Sequence, residues 1–304
     1  MASAIMLLVL SKYSNPKKHP TMIPSVIHWN VDPVIFHIGS FGLRWYSLGF
    51  LLAFLLGYVI VYRMFVREKM DTKFIDSLII YMFLAVLIGA RLGHCLFYEP
   101  DYYLTSSHWI EIILPLNIQT GQFTGYQGLA SHGAAIGILV ALWLYYRKYH
   151  MNPLWILDRL AIVVALGGAF VRLGNLFNSE IYGVETSLPW GIVFVRNGEL
   201  VPKHPTQLYE ALSYLVIFAV SYIVYLRHNG KIHTGRLFGW WLVALFGMRF
   251  LIEFVKEEQV AFEQGMILDM GQFLSLPFII GGLILVYLSY KGKLPEEPFI
   301  IKQK

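Results

Sequence analysis

Residues 74–98 read FIDSLIIYMFLAVLIGARLGHCLFY. Asp76, Arg91 and His94 are the run's acidic and basic residues. It exceeds the roughly 20 apolar residues that cross a bilayer as a helix. Similar runs lie on both sides of it, at Tyr46–Tyr62, Leu129–Tyr146, Leu154–Phe177, Leu208–Leu226, Leu237–Phe254 and Phe273–Tyr290. The fold expected is an all-α integral membrane protein with about seven transmembrane helices. Composition agrees: 57% of the 304 residues are hydrophobic and 14% charged, with a mean hydropathy of +0.56. Soluble domains carry roughly 25% charged residues. An ordinary cytosolic enzyme, a disordered chain and a nucleic-acid arm are excluded. The single cysteine, Cys95, excludes an intrachain disulfide and any CxxC motif.

The net charge of +5 is read loop by loop rather than as a nucleic-acid signal. Arg63, Arg67, Lys69 and Lys73 follow the first run. Arg147 and Lys148 follow the third, and Arg227, Lys231 and Arg236 the fifth. Lys291, Lys293, Lys302 and Lys304 follow the seventh. The intervening loops are poorer, and Glu99–Gly128 has no Lys or Arg. Positive residues favour the cytoplasm, so the N-terminus is expected outside and the C-terminus inside. Lys12, Lys17 and Lys18 fit that orientation badly. Residues 1–21 are therefore expected to be an N-terminal extension. Residues 22–304 then form one polytopic membrane domain, with a small periplasmic insertion at about 179–207.

Ionisable residues inside spans are costly and mark functional sites by default. With this alternation they fall at one depth, near the outer leaflet. Tyr46 begins the first span, Arg91 lies late in the second, and His132 begins the third. Arg172, Asn175 and Glu180 come at the end of the fourth, and His204, Gln207, Tyr209 and Glu210 at the start of the fifth. Arg249 and Glu253 end the sixth, and Gln272 precedes the seventh. Singly, each has a structural reading. Tyr46 with Trp45 makes an aromatic belt, Arg91 snorkels, His132 sits at an interface, and the glutamates neutralise arginines. Together, three arginines with a histidine and amides make an anion site with a candidate base. Guanidinium forks match phosphate oxygens, and the abundant anion at that depth is a phospholipid headgroup. A transporter and a non-catalytic phospholipid-binding protein remain as alternatives. The first would place its charges nearer the midplane, within inverted repeats that the sequence lacks.

The stretch Val171-Arg172-Leu173-Gly174-Asn175-Leu176-Phe177-Asn178-Ser179-Glu180-Ile181-Tyr182-Gly183 resembles the signature of the bacterial prolipoprotein diacylglyceryl transferases, Gly-Arg-x-Gly/Ala-Asn-Phe-x-Asn-x-Glu-x-x-Gly. Other blocks match in the same order. They are Asp32-Pro33-Val34-Ile35-Phe36 with Trp45-Tyr46, Gly89-Ala90-Arg91-Leu92-Gly93 and Ser131-His132-Gly133-Ala134. His204-Pro205-Thr206-Gln207-Leu208-Tyr209-Glu210, Arg249-Phe250-Leu251-Ile252-Glu253-Phe254 and Met270-Gly271-Gln272-Phe273-Leu274-Ser275-Leu276-Pro277 follow. The chain departs from the pattern at Val171, Leu176 and Ala134, and Lys256 stands where arginine is common.

The resemblance implies transfer of the diacylglyceryl group of phosphatidylglycerol to the thiol of the lipobox cysteine in a preprolipoprotein signal peptide. A thioether forms and glycerol phosphate leaves, in the first step of lipoprotein maturation. It implies a multi-pass protein of the bacterial inner membrane, surrounded by lipid, with its active site at the periplasmic leaflet. No metal or cofactor is implied. His132, Arg249, Arg172 and Tyr46 are the expected catalytic residues, with His204 the second candidate for the base. Arg172, Asn175, Arg91, Glu180, Gly183, His204, Gln207, Tyr209, Glu210, Glu253 and Gln272 are the expected substrate-binding residues.

Overall fold

Local signals set where the helices begin and end. The computed structural model describes residues 26–39, 41–104, 106–114, 116–121, 128, 130–257 and 268–299. The expected extension at residues 1–21 lies outside the described residues. Seven long helices are present among them: α1 Trp45–Arg67, α2 Lys73–Phe97, α3 Ser131–Tyr149, α4 Pro153–Phe177, α5 Thr206–Arg227, α6 Arg236–Glu253 and α7 Met270–Tyr290. Asn152 caps α4 by accepting from the Leu154 N–H, with Pro153 at the first helical position. Asp269 and Gln272 form a reciprocal capping box on α7. The cap of α6 is borrowed. The buried Asp158 carboxylate of α4 accepts from the N–H groups of Gly235 and Phe238 at 2.7 and 2.8 Å. The chain enters α6 through Gly235 at φ +78°, where a side chain would be strained.

Among the described residues, α1, α2, α4, α5 and α7 are long and apolar enough to cross a membrane. The other two are shorter and more polar: α3 ends on Arg147 and Lys148, and α6 carries Arg236, Arg249 and Glu253. The chain is a mostly helical, multi-pass membrane protein.

Helix α4 is the axis of the molecule. It packs on α1, α5 and α6, and its Ile162, Ala165 and Ala169 are buried. Small residues bring the neighbours close, as expected where lipid removes the hydrophobic drive between helices. Gly168 lies against the Tyr214 ring of α5, and Gly49 of α1 against the Phe170 backbone. A second seam joins α2 to α3, where Gly89 and Gly93 face Gly133 so closely that a Cβ on any of them would overlap the opposite backbone. Ala134, the departure next door, is only half-buried. A third seam joins α6 and α7 through Gly239 and Gly282.

The two ends of the bundle differ. At the end where α1 stops and α4 starts, Phe65, Tyr145, Trp155 and Tyr225 belong to one buried cluster, and Trp155 and Tyr225 flank an ion pair with Arg159 Nη2 2.6 Å from Glu68 Oε2. Residues 295–298 close this end: the Asn152 amide donates to the Pro295 carbonyl at 2.9 Å, and its N–H to the Pro298 carbonyl at 2.8 Å. The other end carries strands that the helical reading does not include. β1 (Ile27–Trp29) pairs in parallel with β4 (Ile192–Phe194), and β2 (Val34–Ile38) pairs antiparallel with β3 (Phe41–Arg44). β4 belongs to the segment between α4 and α5. Trp29 and Trp45 both pack on Phe177, the last residue of α4.

Candidate active site

The strand-bearing end gathers most of the polar residues expected from the sequence. Arg172 and Asn175 lie three apart on α4 and so share a face, as do Gln207 and Glu210 on α5. Arg172 Nε pairs with Glu210 Oε2, and Arg172 Nη1 donates to Asn175 Oδ1 at 3.2 Å. The second Glu210 oxygen lies 3.7 Å from Lys256 Nζ, which is also 3.3 Å from Glu253 Oε2. Glu210 is 1% exposed. Buried charges persist only when paired, and here two cations alternate with two carboxylates. By sequence Lys256 both departs from the family pattern and follows Arg249 and Glu253 at the end of the sixth span, at the depth of the other polar residues. Its place three residues after Glu253 is the signal that it joins the same cluster.

Arg249, on α6, is half-buried and lies close enough to Tyr214 for its charge to bear on that hydroxyl, as does Arg172. Among the described residues Arg249 has no hydrogen-bond or ion-pair partner. A guanidinium in that state is a ready receptor for an anion brought by a substrate.

Downstream of Asn175 the chain turns sharply. Glu180 Oε1 accepts from the amides of Asn175 and Asn178 at 2.8 and 3.1 Å. The Gln207 amide, expected to meet substrate, instead donates to the Glu180 backbone carbonyl at 2.7 Å. Its Oε1 is buried without a described partner. Gly183 donates its N–H to the His204 carbonyl at 2.8 Å and packs against the Val255 carbonyl, where a Cβ would not fit. An open cleft of about 460 Å³ borders the turn, lined by Asn178, Glu180, Tyr182, Asn197 and Glu257 among others. Beyond the helices, the Tyr182 hydroxyl titrates above its usual range. Burial is the main cause, and the Glu199 carboxylate that it meets at 2.7 Å adds to it.

The remaining expected residues are distributed around this centre. Tyr46 of α1 lies against Gly174, within the field of Arg172 and Glu180. His204 Nδ1 is 3.1 Å from the Tyr209 hydroxyl, which also accepts from Trp190 Nε1 at 2.9 Å. Gln272 is tied to Asp269 and to the Phe250 carbonyl. His132 is exposed on the first turn of α3, and no described contact joins it to the cluster. Arg91 is buried at 6% exposure and engaged elsewhere. It donates to the Glu111 and Ile112 carbonyls at 2.6 and 3.3 Å and lies over the Tyr103 ring. His94 Nε2 lies 3.5 Å from Glu99 Oε1, a pair made within the end of α2 and the turn that follows it.

A family model described as prolipoprotein diacylglyceryl transferase matches residues 33–288. The phosphatidylglycerol–prolipoprotein diacylglyceryl transferase of Bacteroides fragilis is 43% identical over 88% of this chain and 96% of its own length. Its counterpart from Tolumonas auensis is 45% identical over 88% of this chain and 99% of its own. The one from Porphyromonas gingivalis is 41% identical over 90% and 99%. The chain belongs to the prolipoprotein diacylglyceryl transferase family.

Proposed function

We propose that this protein transfers the diacylglyceryl group of phosphatidylglycerol to a prolipoprotein, the first step of lipoprotein maturation. The observation that carries the reading is the family match across residues 33–288, with relatives of that name aligned over nearly their whole length. In the finer reading the acceptor is the thiol of the lipobox cysteine. All seven long helices span the inner membrane, with the C-terminal side of α7 in the cytoplasm. The Arg172 cluster then lies at the periplasmic leaflet. The distribution of Lys and Arg among the loops supports this orientation.

In the reaction, the thiolate sulfur attacks the glyceryl carbon that bears the phosphate. A carbon–sulfur bond forms, the carbon–oxygen bond breaks, and glycerol phosphate departs with the electron pair. A free thiol near pKa 8.5 is only roughly 3% ionised at pH 7, so a base must take the proton as attack proceeds. His132 is the first candidate, because its imidazole has no described partner and is exposed. His204 is the second, with one ring nitrogen already at the Tyr209 hydroxyl. Charge grows on the phosphate as the bond breaks, and Arg249 with Arg172 would stabilise it. Tyr46 and Asn175 would orient the glyceryl moiety. Glu210 and Glu253 would hold the cations in place, with Arg91 acting from outside the centre.

The test is incubation of purified protein with phosphatidylglycerol vesicles and a lipobox peptide, followed by mass analysis. The peptide should gain one diacylglyceryl group at its cysteine. An unmodified peptide, or modification of a Cys→Ser peptide, would sink the reading. For the orientation, reporter cysteines in a Cys95→Ala background should be protected from an impermeant reagent at Lys148 and Lys231 and labelled at Gly198. The reverse pattern would place the cluster on the cytoplasmic side.

A further inference from the structure

We infer that Asn197, Thr206 and Gln207 clamp the turn Ser179–Ile181 and thereby orient Glu180, making them positioning residues for the transfer. The inference rests on the transferase reading above. Ser179 and Ile181 have φ of +56° and +62°, in the left-handed region. Positive φ is uncommon for any residue but glycine, and a β-branched isoleucine there is an outlier. Such conformations persist where the surroundings over-determine them, and they concentrate at functional sites. Here the surroundings are explicit. Three consecutive carbonyls each accept a hydrogen bond from a different side chain. Asn197 Nδ2 donates to Ser179 O at 2.6 Å, Gln207 Nε2 to Glu180 O at 2.7 Å, and Thr206 Oγ1 to Ile181 O at 2.8 Å. The end of α4 holds the turn from the other side, with the Ser179 and Glu180 N–H groups on the Leu176 and Asn175 carbonyls, each at 3.0 Å.

The strained turn determines where the Glu180 carboxylate points. It lies between the amides of Asn175 and Asn178. Because the Asn175 amide nitrogen is committed to Glu180, its oxygen faces Arg172 Nη1. With Glu180 moved, nothing fixes the Asn175 amide against a flip, and the flipped amide would present N–H groups to the guanidinium. The clamp therefore reaches Arg172 through Glu180 and Asn175. Asn197 is the informative member, since it is exposed and its truncation opens no cavity in the helical core.

The experiment measures kcat and KM for phosphatidylglycerol, with unfolding midpoints, for Thr206→Val, Thr206→Ser, Asn197→Ala and Ile181→Gly. Thr206→Val and Asn197→Ala should each lower kcat at least tenfold, with KM changed less than twofold and the folded fraction preserved. Thr206→Ser, which keeps the hydroxyl, should stay within threefold of wild type. Asn197→Ala carries the test if Thr206→Val fails to fold. Ile181→Gly is the control: it keeps all three accepting carbonyls and adopts this φ freely, so its midpoint should hold or rise and its kcat stay within threefold of wild type. Wild-type kcat in Asn197→Ala, or losses that only track the folded fraction, would overturn the clamp. A wild-type protein that leaves the peptide unmodified overturns the transferase reading itself, before any variant is compared.

Discussion

Replacing Glu210 by glutamine tests the charge balance at the centre of the site. The side chain keeps its shape and loses its charge. Glu210 is 1% exposed, with Arg172 on one oxygen and Lys256 Nζ 3.7 Å from the other. Of the two carboxylates facing these cations, only Glu253 would remain. At an effective dielectric of about 20, each contact at such distances is worth about 4 kcal/mol. Breaking a buried pair on one side costs about 3–5 kcal/mol, chiefly through the uncompensated charge left behind. The Arg172 side chain keeps 14% exposure and glutamine still accepts a hydrogen bond, so a loss of about 3 kcal/mol is expected. The assay is reversible unfolding in mixed micelles, followed through the shift in midpoint. Lys256→Met supplies the control, because the double variant removes both charges and should recover about half of the loss. A cost below about 1 kcal/mol for Glu210→Gln, or a cost that Lys256→Met leaves unchanged, would refute the alternating-charge account.

Arg249→Lys retains the charge and loses the planar fork, and should lower kcat at least a hundredfold with little change in KM, measured with the lipobox peptide. Cys95→Ala should keep wild-type activity within twofold and lose about 1 kcal/mol of stability, because the thiol is fully buried in packing contacts and no step uses it; mass analysis should show no lipid on the wild-type enzyme when peptide is withheld. Gly133→Val should destabilise the protein by at least about 1–3 kcal/mol, since the added carbons meet the Gly89 and Gly93 backbone; the unfolding midpoint checks this. Burial pulls the Lys203 ammonium down, but the Glu257, Glu199 and Glu185 carboxylates outweigh it and raise its pKa. Its contribution to stability is then full below the ordinary lysine value of 10.5 and lost as pH rises through the folded value, so the destabilisation caused by Lys203→Met should be constant near neutrality and shrink in strong alkali.

The helices were legible because each announces itself over many residues. The run from Phe74 ends within one residue of α2, and the other runs begin or end within a few residues of their helices. Of the polar residues read at the matching ends of consecutive runs, Arg172, Asn175, Glu210 and Glu253 meet in one cluster, because neighbouring helices run in opposite directions. Sequence carried no direction for the side chains. Arg91 looks like Arg172 in composition, yet its guanidinium is spent on carbonyls of residues 111 and 112. Gln207 reads as a substrate ligand and is turned to the Glu180 backbone. The left-handed φ at Ile181 was hidden, since isoleucine is among the residues least expected there. Asn197-Gly198 does carry a turn signal, and the β-branched Ile192-Val193 before Phe194 a faint strand signal. Neither names a partner, because the partners Ser179 and Ile27 come from elsewhere in the chain.

The parallel pairing of β1 with β4 sets an order of assembly. Ile27 cannot meet Ile192 until α1 through α4 have been synthesised. At about 5–20 residues per second, that delay is roughly 10–30 s. Closure over so long a loop is entropically disfavoured until neighbouring helices hold the ends near each other. During the same interval Arg172 has no Glu210, which arrives only with α5. The amino-terminal strand thus finds its partner first, and the central guanidinium finds Glu210 once the first turns of α5 have followed. A chain arrested before residue 192 presents an uncompensated charge in α4 and a bare backbone edge at Ile27–Trp29, two marks of immaturity that are erased in turn, the edge by Ile192–Phe194 and the charge by Glu210 of α5.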